Sequence, residues 1–462
     1  MAIPHHHHCV YCCLVIVMLA TSILHHPAAV QSPPVGEAEA SLLLKMKRAW
    51  GDPPVLAAWS AATSAAGAHC RWPYVRCDSA GRVISLALAS TNVTGPVSDA
   101  IGGLSSLTHL DVSNNSITGA FPTALYRCRS LQYLNLSQNY LGRELPSDIG
   151  HGLTTNLSTL DLSGNEFNGS IPASLSMLRN LRYFTLDNNR LTGTIPVELG
   201  ELTSLQTLWL AYNPFDAGEL PASFKNLTNL VSLWLKNCSL IGNFPSYVVN
   251  MMQLEILDLA INSLNGSIPS GIWRLRKLEI LTVYRNKLTG NVVVDGFAAM
   301  SLTIIDFSEN KLTGTIPEIF GRLKNLTILN LFTNNFSGDI PVSISLLPSL
   351  LMLRVSSNRL TGMLPPELGK HSVLGYVEAD NNELTGAIPE GLCAGGQLQY
   401  LSASGNCLNG SIPLGLARCA TLRYLNLHDN ELSGDIPADL GYGTPLLETL
   451  NLRNNKLSGR IS

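Results

Sequence analysis

Leu257-Asp258-Leu259-Ala260-Ile261-Asn262-Ser263-Leu264-Asn265-Gly266-Ser267-Ile268-Pro269 decides the fold. Leu257 and Leu259 alternate with Asp258 and Ala260, the period of a short strand with one buried face. Asn262 follows where the chain bends away from that strand. Turned inward, its amide satisfies backbone groups that would otherwise be buried and unpaired. Leu264 and Ile268 complete the apolar layer, and Gly266 relieves backbone crowding. Pro269 lacks an N–H and starts a return segment where no ladder bond is needed. One such coil cannot bury its apolar side alone, so it predicts neighbours stacked against it.

Those neighbours are present. Aligning L-x-x-L-x-L-x-x-N-x-L-x-G-x-I-P on its Asn gives sixteen registers: Thr91, Asn115, Asn139, Asn165, Asn189, Asn213, Cys238, Asn262, Asn286, Asn310, Asn334, Asn358, Asn382, Asn406, Asn430 and Asn455. Twelve of the fifteen spacings are 24 residues and the others are 25 or 26, a regularity that chance does not hold over most of a chain. With stacked strands about 4.8 Å apart, sixteen coils predict a parallel sheet on the order of 75 Å long on the concave side of an α/β solenoid. Local departures are Arg143 for the repeat Gly, Cys238 for the ladder Asn, and Val292-Val293 for Ile-Pro.

Ahead of the array, Glu37 to Trp50 reads as a helix carrying Leu42, Leu43, Leu44 and Met46, ended by Gly51-Asp52-Pro53-Pro54. It is expected to cap the exposed end of the solenoid. Cys70 and Cys77 stand seven residues apart just before the first coil at Val83. In an oxidising compartment they are expected to form a disulfide, and a zinc site there lacks further ligands.

The compartment is read from the N-terminus. An apolar stretch from Cys9 to Leu24, then small residues at Ala28-Ala29-Val30, has the plan of a secretory signal over residues 1–30. The cap is then expected over 31–82 and the repeats over 83–462. His5 to His8 fall inside the leader and are assigned no role. Seven of the ten cysteines lie beyond the leader, an odd number that leaves at least one unpaired within the chain. Cys393 and Cys419 fall in adjacent coils on the return side, where a bridge is one of two open outcomes. Cys128 shares the repeat position of Cys419 but lies many coils away, and the two cannot meet. Candidate glycosylation sequons stand at Asn92, Asn114, Asn135, Asn156, Asn168, Asn226, Asn237, Asn265, Asn325, Asn335 and Asn409.

The 24-residue unit with G-x-I-P resembles the plant-specific class of leucine-rich repeats. The cysteine segment Cys70-Arg71-Trp72-Pro73-Tyr74-Val75-Arg76-Cys77 resembles the plant N-terminal cap motif C-x-W-x-G-V-x-C, with Tyr74 in the place of Gly. The order of the array, and phrases such as Gly321-Arg322-Leu323-Lys324-Asn325-Leu326, resemble ectodomains of plant receptor-like kinases close to the HAESA-like group. The resemblance implies a secreted peptide bound along the inner face and a co-receptor leucine-rich-repeat kinase joining near the C-terminal repeats. It also implies a membrane span and a Ser/Thr kinase in a longer parent protein. The sequence stops at Ile461-Ser462 inside the sixteenth coil, which is read as an incomplete last repeat. Several members of the family read a peptide carboxylate with an Arg-x-Arg pair. By alignment that pair falls at Tyr424 and Asn426, so the motif is missing, and Arg423 beside it is expected to face elsewhere.

Positions six, four and two before the ladder residue are expected to point outward on the concave face. Large aromatics there are informative: Tyr183, Trp209, Trp234, Tyr284 and Phe332, with Tyr212 and Arg285 just beside the strand. Contiguous exposed aromatics are an anchor signature for peptide or protein partners. Charged neighbours on the same face are Asp187, Lys236, Asp258, Asp306, Arg354, Glu378 and Asp380, an assortment suited to orienting an extended peptide. Of these, Lys236, Arg354, Glu378 and Asp380 join the seven strip residues as the expected ligand contacts. A glycan on Asn237 would crowd Lys236, so its occupancy tests this map.

A net charge of −3 and a pI near 6.4 offer no basic field for nucleic acid. His109 and His428 sit singly on strands, and no metal-ligand spacing, nucleophile constellation or phosphate-binding glycine loop occurs, so neither metal, cofactor nor catalysis is expected. The functional expectation is a ligand-recognition ectodomain at the outer face of the plasma membrane. The alternatives are a secreted inhibitor of a cell-wall-degrading enzyme or a kinase-less receptor-like protein, and a chain that is truly this short is expected in the apoplast.

Overall fold

A computed structural model describes residues 35–61 and 67–459. The secretory leader lies outside the described residues. The helix Val35–Ala49 opens the described chain and buries Leu43 and Met46. Trp50, Leu56 and Trp59 are buried behind it, and Trp59 stacks on Trp72 with ring centroids 5.8 Å apart. The helix also reaches the first coil directly: Glu39 Oε2 accepts the N–H of Val83 at 2.7 Å. Val75–Cys77 pairs antiparallel with Val83–Ala87 and closes the edge of the main sheet, which would otherwise be bare. Cys70 and Cys77 are bonded to each other, which commits both sulfurs although His69 lies beside them.

The main sheet has 17 strands: that antiparallel edge strand and one parallel strand from each of the sixteen registers, ending at Thr449–Asn451. Equivalent positions lie side by side, as in Leu208↔Leu233↔Leu257. Each Leu column is buried, and in the quoted coil Leu257, Leu259, Leu264, Ile268 and Ile272 are all 3% exposed or less. Return segments begin at the repeat Pro and most turn into short 3-10 helices, such as Ser270–Arg274 after Pro269.

The ladder Asn does what its chemistry predicts. Asn262 Nδ2 donates to Leu235 O, Leu259 O and Ala260 O at 2.9–3.0 Å, while its Oδ1 accepts from the N–H groups of Cys238 and Leu240. One amide thus ties two coils together. At Cys238 the column is interrupted. Its thiol donates to Leu210 O at 3.3 Å. Every other ladder Asn accepts the N–H two residues past the preceding ladder position, from Val93 onto Asn115 to Leu432 onto Asn455. The corresponding N–H of Phe215 has no acceptor among the described residues.

The residue just before each ladder position has φ between +51° and +63° in all sixteen coils. Asn, Gly, Ser and Asp fill most of these left-handed sites, as sterics favour. Gln138, Tyr212, Ile261, Arg285, Glu309 and Thr333 do not fit that preference, and five of the six fall between the sixth and eleventh coils. Tyr74 (φ +69°) and Arg143 (φ +66°), each standing where the repeat or cap has Gly, are likewise left-handed.

Candidate ligand-binding face

The concave strands bring one group of expected contacts together. Trp209 and Trp234 lie on the sixth and seventh strands, with Lys236 two residues past the latter, Tyr212 beside them and Tyr284 two coils on. Trp209 and Trp234 meet edge to face at 5.6 Å, and Tyr212 meets Trp234 the same way at 5.8 Å. The Lys236 ammonium stands 5.3 Å from the Tyr212 ring centre and 5.2 Å from that of Tyr284, within cation–π range. Burial works against that ammonium, but its contacts with the two tyrosines outweigh it and raise its pKa. Trp209, Ser232, Trp234, Ile256, Asp258, Ile280 and Thr282 line a cavity of about 260 Å³. Burial holds the Asp258 carboxyl above its ordinary range.

The expected strip is not continuous. Phe332 belongs to a second group, where the Arg354 guanidinium lies 5.4 Å from its ring and pairs with Glu378 at 2.9 Å. Ile304 and Asp306 separate the two groups on the tenth strand. Arg285 is held in a two-pronged pair with Glu309 at the solvent edge. Asp380 is committed internally: it accepts from Ser402 Oγ, Ser404 N, Ser404 Oγ and Ser356 Oγ, which leaves it a brace between coils.

Two expectations about exposure are corrected. Trp209 and Trp234 are half-buried, because each indole packs on its neighbour and Trp209 Nε1 donates to Ser232 Oγ at 2.8 Å. Tyr183, by contrast, is 47% exposed. The position two before the ladder is commonly closed as well: Ala211, Ala260, Ser308, Ser356 and Ser404 are buried there. The left-handed residue that follows bends the chain at this point. Asp187 shares the position, is only 5% exposed, and its Oδ1 has no hydrogen-bond partner. Burial lifts its carboxyl to about 6, a bond from Asn188 works the other way, and the charge of Asp161 adds to the rise.

The same position rule selects aromatics outside the expected strip. His109 stacks on Tyr133 at 4.2 Å. Tyr376, Tyr400 and Tyr424 form a ladder over the thirteenth to fifteenth coils, Tyr400 and Tyr424 lying parallel at 4.3 Å. Their signal was available: each stands six residues before a ladder Asn, as Tyr183 does. Arg423 points off this face and pairs with Glu448, so Tyr424 and Asn426 alone occupy the place of an Arg-x-Arg pair. Cys393 and Cys419 are bonded, whereas Cys128 and Cys238 are buried thiols and Cys407 is an exposed one. Nine sequon asparagines are exposed, Asn237 among them, while Asn135 and Asn335 are half-buried.

A parallel solenoid sheet with an open concave face of aromatic and charged residues defines a leucine-rich-repeat binding scaffold. The chain matches the "Leucine-rich repeat region" family over residues 157–296, the "Leucine rich repeat" family over 82–141 and 300–360, and a separate "Leucine Rich Repeat" family over 397–419 and 421–442. It matches the "Leucine rich repeat N-terminal domain" family over 37–78. The crystal structure of a TDR receptor is similar with a TM-score of 0.75 and 34% identity, covering 81% of this chain and 64% of that one. The Arabidopsis receptor kinase HAESA, solved with the peptide hormone IDA and the co-receptor SERK1, is similar with a TM-score of 0.57 and 30% identity over 92% of this chain and 87% of that one. Among curated relatives, MDIS1-interacting receptor like kinase 1 of Arabidopsis thaliana is 44% identical over 78 residues, 17% of this chain. Polygalacturonase inhibitor 1 of Oryza sativa subsp. japonica is 35% identical over 85 residues, 18% of this chain. These alignments span 8% and 24% of the curated relatives' own lengths. The chain belongs to the family of plant leucine-rich-repeat receptor kinase ectodomains. Among the described residues, no helix is long and apolar enough to cross a membrane.

Proposed function

We propose that this chain is the extracellular, non-catalytic recognition domain of a plant receptor kinase and binds a secreted peptide along its concave face. A co-receptor leucine-rich-repeat kinase joins it near the C-terminal coils. The observation that carries this reading is the group Trp209, Tyr212, Trp234, Lys236 and Tyr284, which gathers aromatic anchors around one held cation on an open strand face. Secretion to the outer face of the plasma membrane follows from the same reading. The test is equilibrium binding of the secreted chain to a panel of secreted plant peptides. One peptide should bind with a wild-type Kd that rises at least about tenfold on Trp234→Ala, the loss typical of an anchor residue. Absence of binding by every peptide overturns the reading.

The inhibitor reading has one specific support, the 85-residue similarity to a polygalacturonase inhibitor. The receptor reading is favoured because similarity to HAESA extends over 92% of the chain. Slowed pectin hydrolysis by a polygalacturonase in the presence of the chain would reverse that preference.

A further inference from the structure

A second cavity, of about 470 Å³, opens on the concave face over the third to sixth coils, lined by Tyr133, Thr159, Asp161, Tyr183, Thr185, Thr207 and Trp209. Its walls are aromatic. One face of Tyr133 is covered by His109, stacked at 4.2 Å with planes 14° apart, so the other face looks across small Thr159 toward Tyr183. Two strand spacings, about 9.6 Å, separate the tyrosine positions, enough for one flat side chain to enter between them.

The polar side of this cavity is anionic, and one carboxylate oxygen of its lining acid accepts no hydrogen bond within the described residues. All three donors that reach Asp161, namely Ser163 N, Ser163 Oγ and Thr185 Oγ1, fall on its Oδ1, and none falls on Oδ2. Asp187 lies two residues beyond the cavity wall at Thr185 on the same strand face, with a carboxylate oxygen that is buried and unpartnered. Among the described residues, neither acid joins an ion pair; the charge that acts on Asp187 is that of Asp161. Lys236 is engaged with its two tyrosines and Arg354 with Glu378, so the nearby concave cations do not neutralise these acids.

Aromatic faces with carboxylate oxygens behind them favour a planar cation, which gains cation–π attraction and charge-assisted hydrogen bonds together. We propose that this cavity is a subsite for an arginine side chain of the ligand, its guanidinium lying between Tyr133 and Tyr183 and donating to Asp161 Oδ2. The proposal rests on the peptide-binding reading above and names one residue class the peptide carries.

The experiment is a ligand-observed NMR titration of the secreted chain with acetyl-Gly-Arg-Gly-amide and with its neutral citrulline counterpart, which keeps the shape and removes the charge. The arginine probe should bind at least about tenfold tighter than the citrulline probe, the scale of one charge-assisted contact. Asp161→Asn, which retains an acceptor for Ser163 and Thr185, should bring the two probes within about threefold. Tyr183→Ala, at an exposed ring, should weaken the arginine probe about three- to tenfold without lowering the melting temperature. Equal binding of both probes by the wild-type chain, full discrimination retained in Asp161→Asn, or an arginine probe bound as tightly by Tyr183→Ala as by the wild type overturns the subsite. If a secreted peptide binds but the probes are not discriminated, the subsite fails while the receptor reading stands. Discrimination of the probes with no secreted peptide bound supports the subsite and removes the receptor reading.

Discussion

Trp209 and Trp234 stand on adjacent strands at paired register positions, their rings at 89° with centroids 5.6 Å apart. A pair in this geometry contributes about 0.5–1.5 kcal/mol beyond the area it buries. Each indole therefore supports its neighbour as well as presenting a surface. Trp209→Ala and Trp234→Ala are each expected to weaken peptide binding and to lower stability modestly. The double variant should lose less than the sum of the two, by about 0.5–1.5 kcal/mol, because the first truncation already removes the contact. Strict additivity in a thermodynamic cycle would show that the two rings act independently.

Ile261 carries φ +54° at the left-handed position of the eighth coil, where a β-branched side chain crowds the backbone. Ten of the sixteen coils place Asn, Gly, Ser or Asp at this point, and a bulky β-branched Ile is poorly suited to it. Ile261→Asn is expected to stabilise the chain by about 1 kcal/mol. Tyr74→Gly and Arg143→Gly should act in the same direction, since both side chains stand at positive φ where the motif has Gly. Chemical denaturation measures each shift. A destabilised Ile261→Asn would mean that the isoleucine's packing outweighs its backbone strain.

The fold was legible because its period is written in single residues: Leu208, Asn213 and Pro221 each recur at their own place in coil after coil. The candidate face was legible only in part. Alternation says which side Trp209 lies on, but how far it is buried depends on Trp234 and Ser232, which reach it from a coil 25 residues away in sequence. Asp187 shows the limit more sharply. Its outward position suggests a solvated acid, whereas the turn after it closes the site and leaves an oxygen without a partner. The Tyr376–Tyr400–Tyr424 ladder obeys the position rule outright, and only the joining of its rings across coils is a property of the folded chain alone.

Asp187 should make stability depend on pH in a defined direction. Its folded carboxyl is raised to about 6 from an ordinary value of 3.8, so the folded state holds a proton more tightly than the unfolded chain. Its contribution to stability then falls as pH rises between those values, and the full cost of the buried charge is present above about pH 6. Asp187→Asn removes that charge. The variant is expected to exceed the wild type by on the order of 1–2 kcal/mol near pH 7, with the difference shrinking toward pH 4. Urea unfolding at the two pH values decides it, and a difference that does not change with pH would assign the effect to packing.

Cys238 offers the last test, because it interrupts the column of amides that otherwise runs from Asn115 to Asn455. The N–H of Phe215 is left without the Oδ1 acceptor that the equivalent N–H of Leu191 finds on Asn213 and that of Leu240 finds on Asn262. The thiol partly fills the donor role toward Leu210 O but presents no strong acceptor. Burial drives the thiol pKa up, so it remains a neutral SH group. Cys238→Asn would supply an acceptor to Phe215 and further donors to the carbonyls of Leu210 and Lys236, restoring the unit seen in the coils on either side. Satisfying one buried N–H is expected to stabilise the chain by about 1–2 kcal/mol, less the cost of fitting a slightly larger side chain where the repeat is 25 residues long. Cys238→Ser, smaller and with one hydroxyl, should gain less. If Cys238→Asn melts below the wild type while Cys238→Ser does not, steric fit at the lengthened coil outweighs the missing bond, and the cysteine is there for its size.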